Sequence, residues 1–320
     1  MKRISRLIFY IRKIGILKGL RRTLISQADS NRMIGFFYRM IDAACVNKYK
    51  DVSRYGFNSA DREQKIIVSL TTIPERINYA ALVIGIMLCQ TMKPDKIQLY
   101  LGKSQFADVV LPPLLREQER VGVEIFYVED LRPHTKYFYA LQKYPNDIVI
   151  TVDDDVLYGE DLIENLMDSY RQFPQAVSAM RVHQITFADD GSIKGYNEWK
   201  YCCSDYIRQP RMDLLATGVG GVLYPPGVLP QEVFRKDIFA MYCPYADDIW
   251  LKVVQALNGI PCVLAQEHVE TQCLTGSQQR GLYHENVMQN KNDSQLEALV
   301  DYYRQNRNID VEEVFCNSRN

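Results

Sequence analysis

The stretch Asp147-Ile148-Val149-Ile150-Thr151-Val152-Asp153-Asp154-Asp155 ends an apolar, β-branched run in three carboxylates. Such a run reads as a buried strand. Side chains alternate along a strand, so Asp153 and Asp155 share one side, and Asp154 takes the other, if the strand continues that far. Carboxylates at the carboxyl end of a strand in an open α/β sheet lie where ligands bind. Left unpaired they repel one another. A divalent cation relieves that repulsion, and hard oxygen donors suit Mn²⁺ or Mg²⁺, with Asp153 and Asp155 as the ligands. The plain alternative is a solvated acidic turn feeding a helix whose N-terminus favours negative charge.

Other chemistry-bearing residues stand before and after this stretch. Thr71, Thr72 and Arg76 follow an earlier apolar run, Ile66 to Leu70; hydroxyls and a guanidinium there can hold a nucleotide's base, ribose or phosphate. Neither Gly-x-Gly-x-x-Gly nor a Gly-Lys-Ser/Thr loop is present, so no dinucleotide fold or P-loop is expected. Lys136 lies just upstream of the acidic stretch, where a cation can neutralise a diphosphate jointly with a metal. The segment Thr217 to Pro226 packs glycines among apolar residues, and Gly220 and Gly221 offer close backbone approach to a ligand. Its alternative is a tight turn before an edge strand. Asp247 and Asp248 open an apolar helix. Neighbours on a helix are about 100° apart, so only one is expected to face the sheet edge. Asp248 is the expected general base and Asp247 the expected N-cap.

The elements that must position these residues follow from periodicity. Strands are expected at Ile66–Leu70, Lys96–Leu101, Val123–Val128 and Asp147–Val152, and helices at Tyr79–Gln90, Leu111–Arg120, Tyr137–Leu141 and Gly159–Phe173. This alternation predicts an α/β fold: one Rossmann-like, mixed but mainly parallel sheet with helices on both faces. Three regions are expected: a basic helical extension over 1–62, the α/β domain over 63–266, and a loop and helical extension over 267–320 with a last helix from Ser294 to Arg304.

The 38 basic and 39 acidic side chains leave a net charge of −1, so no global field points to nucleic acid. The eight cysteines form no Cys-x-x-Cys pair and no secretory leader precedes them, as expected of reduced thiols in the cytoplasm. Residues 1–25 are basic without an acid, and Ile4, Leu7, Ile8, Ile11, Ile14 and Leu17 recur close to helical spacing. No uncharged run there spans a bilayer. The segment suits a peripheral helix on an anionic membrane, such as the inner face of the plasma membrane. A helix docked on its own domain and a mitochondrial presequence are the alternatives.

Taken in order, Ser-Leu-Thr-Thr-Ile-Pro-Glu-Arg at 69–76, Lys136-Tyr137, Val-Asp-Asp-Asp-Val at 152–156, Gly-Val-Gly-Gly-Val-Leu-Tyr-Pro-Pro at 218–226 and Asp-Asp-Ile-Trp-Leu at 247–251 resemble bacterial nucleotide-sugar glycosyltransferases of the type-A fold, family 2-like. The resemblance runs from about Ile66 to Leu264. It implies a metal on the Asp-x-Asp pair Asp153 and Asp155, Asp154 near the donor's ribose or sugar, and a catalytic base at Asp247 or Asp248. It also implies a nucleoside diphosphate sugar donor and a glycan or glycolipid acceptor, a precursor of lipopolysaccharide or capsule. A histidine late in the chain completes the metal shell in some such enzymes, and His284 is the candidate. Tyr196 and Trp199 are candidates for a sugar-stacking acceptor surface. No Gln-x-x-Arg-Trp motif is present, so processive polymer synthesis is not implied.

Two competing readings remain at this level. Phosphatases of the haloacid-dehalogenase type carry Asp-x-Asp on the first strand with Thr or Val two residues after the second Asp; here the motif follows the fourth strand and Leu157 holds that place. A non-catalytic carbohydrate-binding protein on the same fold is the other.

Overall fold

A computed structural model describes residues 47–267, 272–274 and 291–317. The basic segment 1–25, most of the expected connector over 30–62 up to residue 46, and His284 lie outside the described residues. The chain divides into two compact units, Met1–Asp51 and Val52–Asn320. Of the first, residues 47–49 are helical. Among the described residues no helix is long and apolar enough to cross a membrane.

Among the described residues the second unit holds eleven strands: β1 (Ile66–Thr72), β2 (Lys96–Gly102), β3 (Glu124–Val128), β4 (Ile148–Thr151), β5 (Val156–Leu157), β6 (Val177–Ala179), β7 (Val182–Gln184), β8 (Leu214–Ala216), β9 (Val222–Tyr224), β10 (Cys262–Leu264) and β11 (Gln272–Cys273). Its helices are α1 (Ile77–Leu88), α2 (Pro113–Arg120), α3 (Thr135–Lys143), α4 (Leu162–Gln172), α5 (Lys236–Tyr242), α6 (Asp247–Leu257), α7 (Lys291–Arg307) and α8 (Val311–Asn317). The expected α/β alternation is present, with ends that differ by a few residues.

The main sheet has seven strands in the order β10-β6-β9-β4-β1-β2-β3. All neighbouring pairs are parallel except those made by β9, which runs antiparallel between β4 and β6. The sheet is flanked by helices, and Ile66 to Leu70 of β1 are buried without interruption, as a strand covered on both faces requires. Order β4-β1-β2-β3 on one side and β9-β6-β10 on the other makes the end of β4 the point where the winding reverses. Ligands bind at such a point in open α/β sheets.

Two local expectations change. β4 stops at Thr151, and Asp154 and Asp155 form a turn into β5, so strand alternation does not sort the three aspartates. The glycine segment does not lead into an edge strand. Gly218–Gly220 form a 3₁₀ turn and Val222–Tyr224 are wholly buried between two neighbours.

The C-terminal helices α7 and α8 pack on α6 and extend the core there through Leu296, Leu299, Tyr303, Val311 and Phe315. Beneath them lies Lys252 of α6, only 2% exposed, with no hydrogen-bond acceptor for its ammonium among the described residues. It lines an apolar cavity of about 10 Å³, the room of one water molecule, with Trp199, Ile249 and Phe315 among its walls. The Phe315 ring lies 5.7 Å from Nζ, near the limit of cation–π attraction. Burial lowers the Lys252 pKa from 10.5 to about 8, against a smaller upward pull from Cys262 and Asp213. The unfolded chain therefore binds more protons than the native one between pH 8 and 10.5, and stability rises with pH across that window. Lys252→Met should stabilise the protein at pH 7, by an amount on the order of 3 kcal/mol. Its advantage over wild type should shrink as pH rises through that window; denaturant unfolding of both proteins at pH 7 and pH 10 measures it.

Candidate functional site

Two groups of acidic side chains meet at the carboxyl edge of the sheet. The first is the turn after β4. Arg76, from the 3₁₀ turn that opens α1, places Nη1 3.0 Å from Asp155 Oδ2 and 3.2 Å from Asp154 Oδ1. Thr72, the last residue of β1, donates its hydroxyl to the other oxygen of Asp154. Asp153 stands apart from its neighbours: its backbone N–H donates to the Tyr158 hydroxyl at 2.8 Å, and its carboxylate accepts from Lys136 at 2.8 Å. Burial raises the Asp154 pKa to about 7, with Arg76 pulling down and Asp155 pushing up. Burial also disfavours the Arg76 charge, yet Asp154 and Asp155 outweigh it and its pKa is raised.

The second group is the start of α6. Asp247 does not cap that helix: the cap position is Ala246, with no side-chain cap bond, and Asp247 is the first helical residue. Its Oδ2 lies 3.0 Å from Lys136 Nζ, an ion pair without hydrogen-bonding geometry. Asp248 accepts from the Gly218 backbone N–H, with its two oxygens at 3.1 and 3.2 Å. Both aspartates thus turn toward the site, because the helix begins there and its first turn packs end-on against the glycine turn. Burial and the charge of Asp247 raise the Asp248 pKa to about 7, with Lys136 opposing.

Lys136 joins the two groups. Its pKa is raised well above the ordinary lysine value: burial opposes the charge, and Asp153, Asp247 and Asp248 more than restore it. Its backbone is fixed from both sides. The buried Ser69 hydroxyl of β1 donates to the Lys136 carbonyl. Two residues before it, His134 donates through Nε2 to the Cys243 carbonyl at 2.8 Å, which leaves Nδ1 to accept from the Tyr137 hydroxyl at 2.9 Å. Burial lowers the His134 pKa to about 4, so the ring is a neutral strut between α3 and the loop that feeds α6.

Gly218 sits among these groups. A Cβ there would stand 2.5 Å from Lys136 Nζ, 3.3 Å from Asp248 Oδ1 and 3.4 Å from Asp153 Oδ1. Gly220 and Gly221 have different reasons. A Cβ at Gly220 would lie 2.8 Å from the Arg181 backbone nitrogen, and Gly221 has φ +90 with Leu162 against it. Glycine at these two positions is required by packing and backbone conformation.

Of the residues singled out from sequence, Thr72, Arg76, Lys136, Asp153, Asp154, Asp155, Asp247 and Asp248 are brought together. Thr71 is not: its hydroxyl donates to the Tyr100 carbonyl in β2. Tyr196 and Trp199 are 8% and 4% exposed and belong to the core, with the Trp199 indole donating to the Lys194 carbonyl. They cannot form an open stacking surface, because their ring faces are spent on each other, 4.8 Å apart, and on neighbouring side chains. The Tyr196 hydroxyl nonetheless feels the charge of Asp248. Sequence reading missed Gly218 as the glycine in the site, and it missed His134, Tyr158 and Arg181. Arg181 alone carried a signal, as one cation between two buried strands.

Whether these residues suit a divalent cation is a matter of donor set. Among the described residues no three His, Cys, Asp or Glu side chains converge to hold a metal by themselves. Asp153 and Asp155 are hard oxygen donors beside the winding reversal. Mg²⁺ is commonly held by one or two carboxylates together with a substrate's phosphates, without a full protein cage. Each of the two is held by its own cation, Asp153 by Lys136 and Asp155 by Arg76, so their donor chemistry suits such an ion while their present partners are ammonium and guanidinium.

The two glycines separate function from fold. The clash at Gly218 is with the Lys136 ammonium, so Gly218→Ala should fold yet lose stability as that lysine is displaced from Asp153 and Asp247, a loss that belongs to the charge pairing of the site. Melting temperature and far-ultraviolet spectrum, measured beside those of wild type, check this. The clash at Gly220 is with backbone, so Gly220→Ala should cost roughly 1–3 kcal/mol of stability, read by denaturant unfolding.

No protein-family profile matches the chain, and no curated protein does. Solved structures that resemble it include a CMP:2-keto-3-deoxy-manno-octonic acid synthetase complexed with CTP, at 11% identity and TM-score 0.38 over 65% of this chain and 91% of that one. A 4-diphosphocytidyl-2C-methyl-D-erythritol synthase is similar at 11% identity and TM-score 0.41, over 68% and 95%. A protein described as a nucleotide-diphospho-sugar transferase from Desulfovibrio desulfuricans G20 is similar at 9% identity and TM-score 0.37, over 73% and 97%. Likeness at this level is one of layered strands and helices.

Proposed function

We propose that this chain is a metal-dependent glycosyltransferase that moves a sugar from a nucleoside diphosphate sugar to a hydroxyl acceptor, a glycan or glycolipid of the surface-polysaccharide type. The observation that carries this reading is one buried ammonium, Lys136, held between a strand-end aspartate and the aspartates of a helix start, at the winding reversal of the sheet.

Each group then has a part. Arg76 and Thr72 fix Asp154 and Asp155 at the mouth of the donor side, where ribose and phosphates would lie. Mn²⁺ or Mg²⁺ on Asp153 and Asp155 would offset diphosphate charge. Asp248, held by the Gly218 N–H, takes the proton of the acceptor hydroxyl. The acceptor oxygen forms its bond to the anomeric carbon as the bond from that carbon to the diphosphate oxygen breaks. Lys136 offsets the negative charge left on the diphosphate. Asp247 keeps the ammonium in reach and, by its own charge, makes Asp248 a stronger base. Recruitment to an anionic membrane through residues 1–25 belongs to the same reading, as it would bring a lipid-linked acceptor to the site.

Donor hydrolysis followed with and without Mn²⁺ tests the reading. Asp153→Asn and Asp155→Asn should each abolish the Mn²⁺-dependent turnover with an unchanged far-ultraviolet spectrum. Near wild-type turnover in either variant would falsify the metal assignment. Asp248→Asn should lose orders of magnitude in kcat with little change in donor affinity.

A pH profile adds a second check. A base must be deprotonated, so kcat should rise as pH increases through about 7, the value to which Asp248 is raised. Asp247→Asn removes the neighbouring charge and should move that rise to lower pH. A profile flat from pH 5 to 9 in wild type would remove Asp248 from the role.

A further inference from the structure

Arg181 stands on the far side of the glycine turn from the aspartates. Thr151 of β4 and Ala179 of β6 are both level with Val222 of β9, which runs between them. Asp153 and Arg181 each follow by two residues, so they stand at the same height on the carboxyl edge. Two strand spacings separate them, roughly 10 Å. The turn Gly218–Gly220 fills the rim between, with Gly218 beside Asp153, Lys136 and Asp248, and Gly220 pressed on the Arg181 backbone. Glycine at 220 is thus the condition for Arg181 to reach this rim.

The partners of Arg181 differ from those of the other two cations at the edge. Arg76 and Lys136 are each paired with two aspartates. The Arg181 guanidinium donates from Nε to the Cys202 sulfur at 3.2 Å and from Nη1 to the Thr217 hydroxyl at 2.9 Å, neither of them a carboxylate. A guanidinium has five N–H groups. Those two contacts orient the fork, and among the described residues its remaining N–H groups meet no acceptor and its charge meets no carboxylate. These groups also tie it in place: Thr217 returns its backbone N–H to the Arg181 carbonyl at 3.1 Å. A fixed, half-buried, planar cation with free N–H groups is a receptor for phosphate or carboxylate.

We propose that Arg181 binds an anionic group of the acceptor, a phosphate or a carboxylate, next to the hydroxyl that Asp248 deprotonates. This rests on the transfer reading for the word acceptor. The donor's phosphates belong to the side of Arg76 and Lys136, and Asp248 lies between that side and Arg181. An anion approaching Asp153, Asp247 and Asp248 is repelled by all three, so an anionic acceptor needs a cation of its own, and among the described residues Arg181 is the one at that end of the rim. Arg181 also sets selectivity, because a neutral acceptor would leave the guanidinium facing it unpaired.

Thermal shift on the full chain tests this with separate probes: inorganic phosphate, glucuronate, glucose as the neutral control, and UDP with Mn²⁺ for the donor side. Phosphate or glucuronate should raise the melting temperature of wild type and glucose should not. Arg181→Gln should lose that shift and keep the UDP shift; Arg181→Lys, which keeps the charge but not the fork, should fold like wild type and retain only part of it. A response to phosphate alone identifies a phosphorylated acceptor, and one to glucuronate alone a uronate. Equal shifts in wild type and Arg181→Lys and Arg181→Gln, or no shift with either anion, would overturn the proposal. Asp153→Asn should remove the UDP shift and leave the anion shift intact. If wild type ignores UDP with Mn²⁺ yet shows an Arg181-dependent anion shift, the transfer reading fails while the anion site stands.

Discussion

A buried ammonium between two carboxylates on different elements is the constraint that the rest of this structure serves. Lys136 is 7% exposed, a place where an unpaired lysine would shed its proton. It keeps its charge because Asp153 comes from the end of β4 and Asp247 from the start of α6, 2.8 and 3.0 Å away. Removing either partner leaves a buried charge partly uncompensated, which costs several kcal/mol in comparable cases. The contrast with Lys252 shows the same physics from the other side. That lysine is as deeply buried, has no carboxylate partner among the described residues, and its pKa falls to about 8.

This arrangement explains why the supporting residues are where they are. Ser69 and His134 spend their buried polar groups on the backbone around Lys136 and the loop before α6. His134 stacks on Phe239 of α5 at 4.2 Å, so the strut is itself packed. The glycine turn admits no side chain at 218 because the ammonium occupies that volume, and it returns a backbone N–H to Asp248. Satisfying a buried polar group this way rigidifies the site at the same time.

Much of this could be read from the residue order and some could not. Apolar runs gave the strands and helices of the parallel half, since a strand buried on both faces has a continuous apolar signature such as Ile66 to Leu70. The acidic pairs stood out because charge at the end of such runs is unusual. What depends on the turn after β4 was out of reach: whether Asp153 sides with Asp155 or with Lys136 is decided by chain reversal and by Arg76, not by a period of two. The two aspartates of α6 were assigned by helical geometry to opposite directions, but a helix that begins at the site presents its whole first turn to it. The short strands β6 to β9 were missed for a related reason. Segments of three residues carry too little periodicity to separate strand from loop, and they seat both the glycine turn and Arg181.

The charge of the rim is unbalanced, and that imbalance has a physical consequence. Asp153, Asp154, Asp155, Asp247 and Asp248 face Arg76 and Lys136, and in response burial and mutual repulsion raise two of the five, Asp154 and Asp248, to about 7. Without a ligand, the edge eases its surplus by holding those two close to their protonated forms. A cation beside Asp153 and Asp155 would relax that constraint on Asp154, its immediate neighbour, more than on Asp248, which answers chiefly to burial and to Asp247. The two halves thus answer first to different neighbours, the turn after β4 to Arg76 and the helix start to Asp247. Lys136, held charged by Asp153, Asp247 and Asp248 together, is the group through which a change of charge in one half reaches the other.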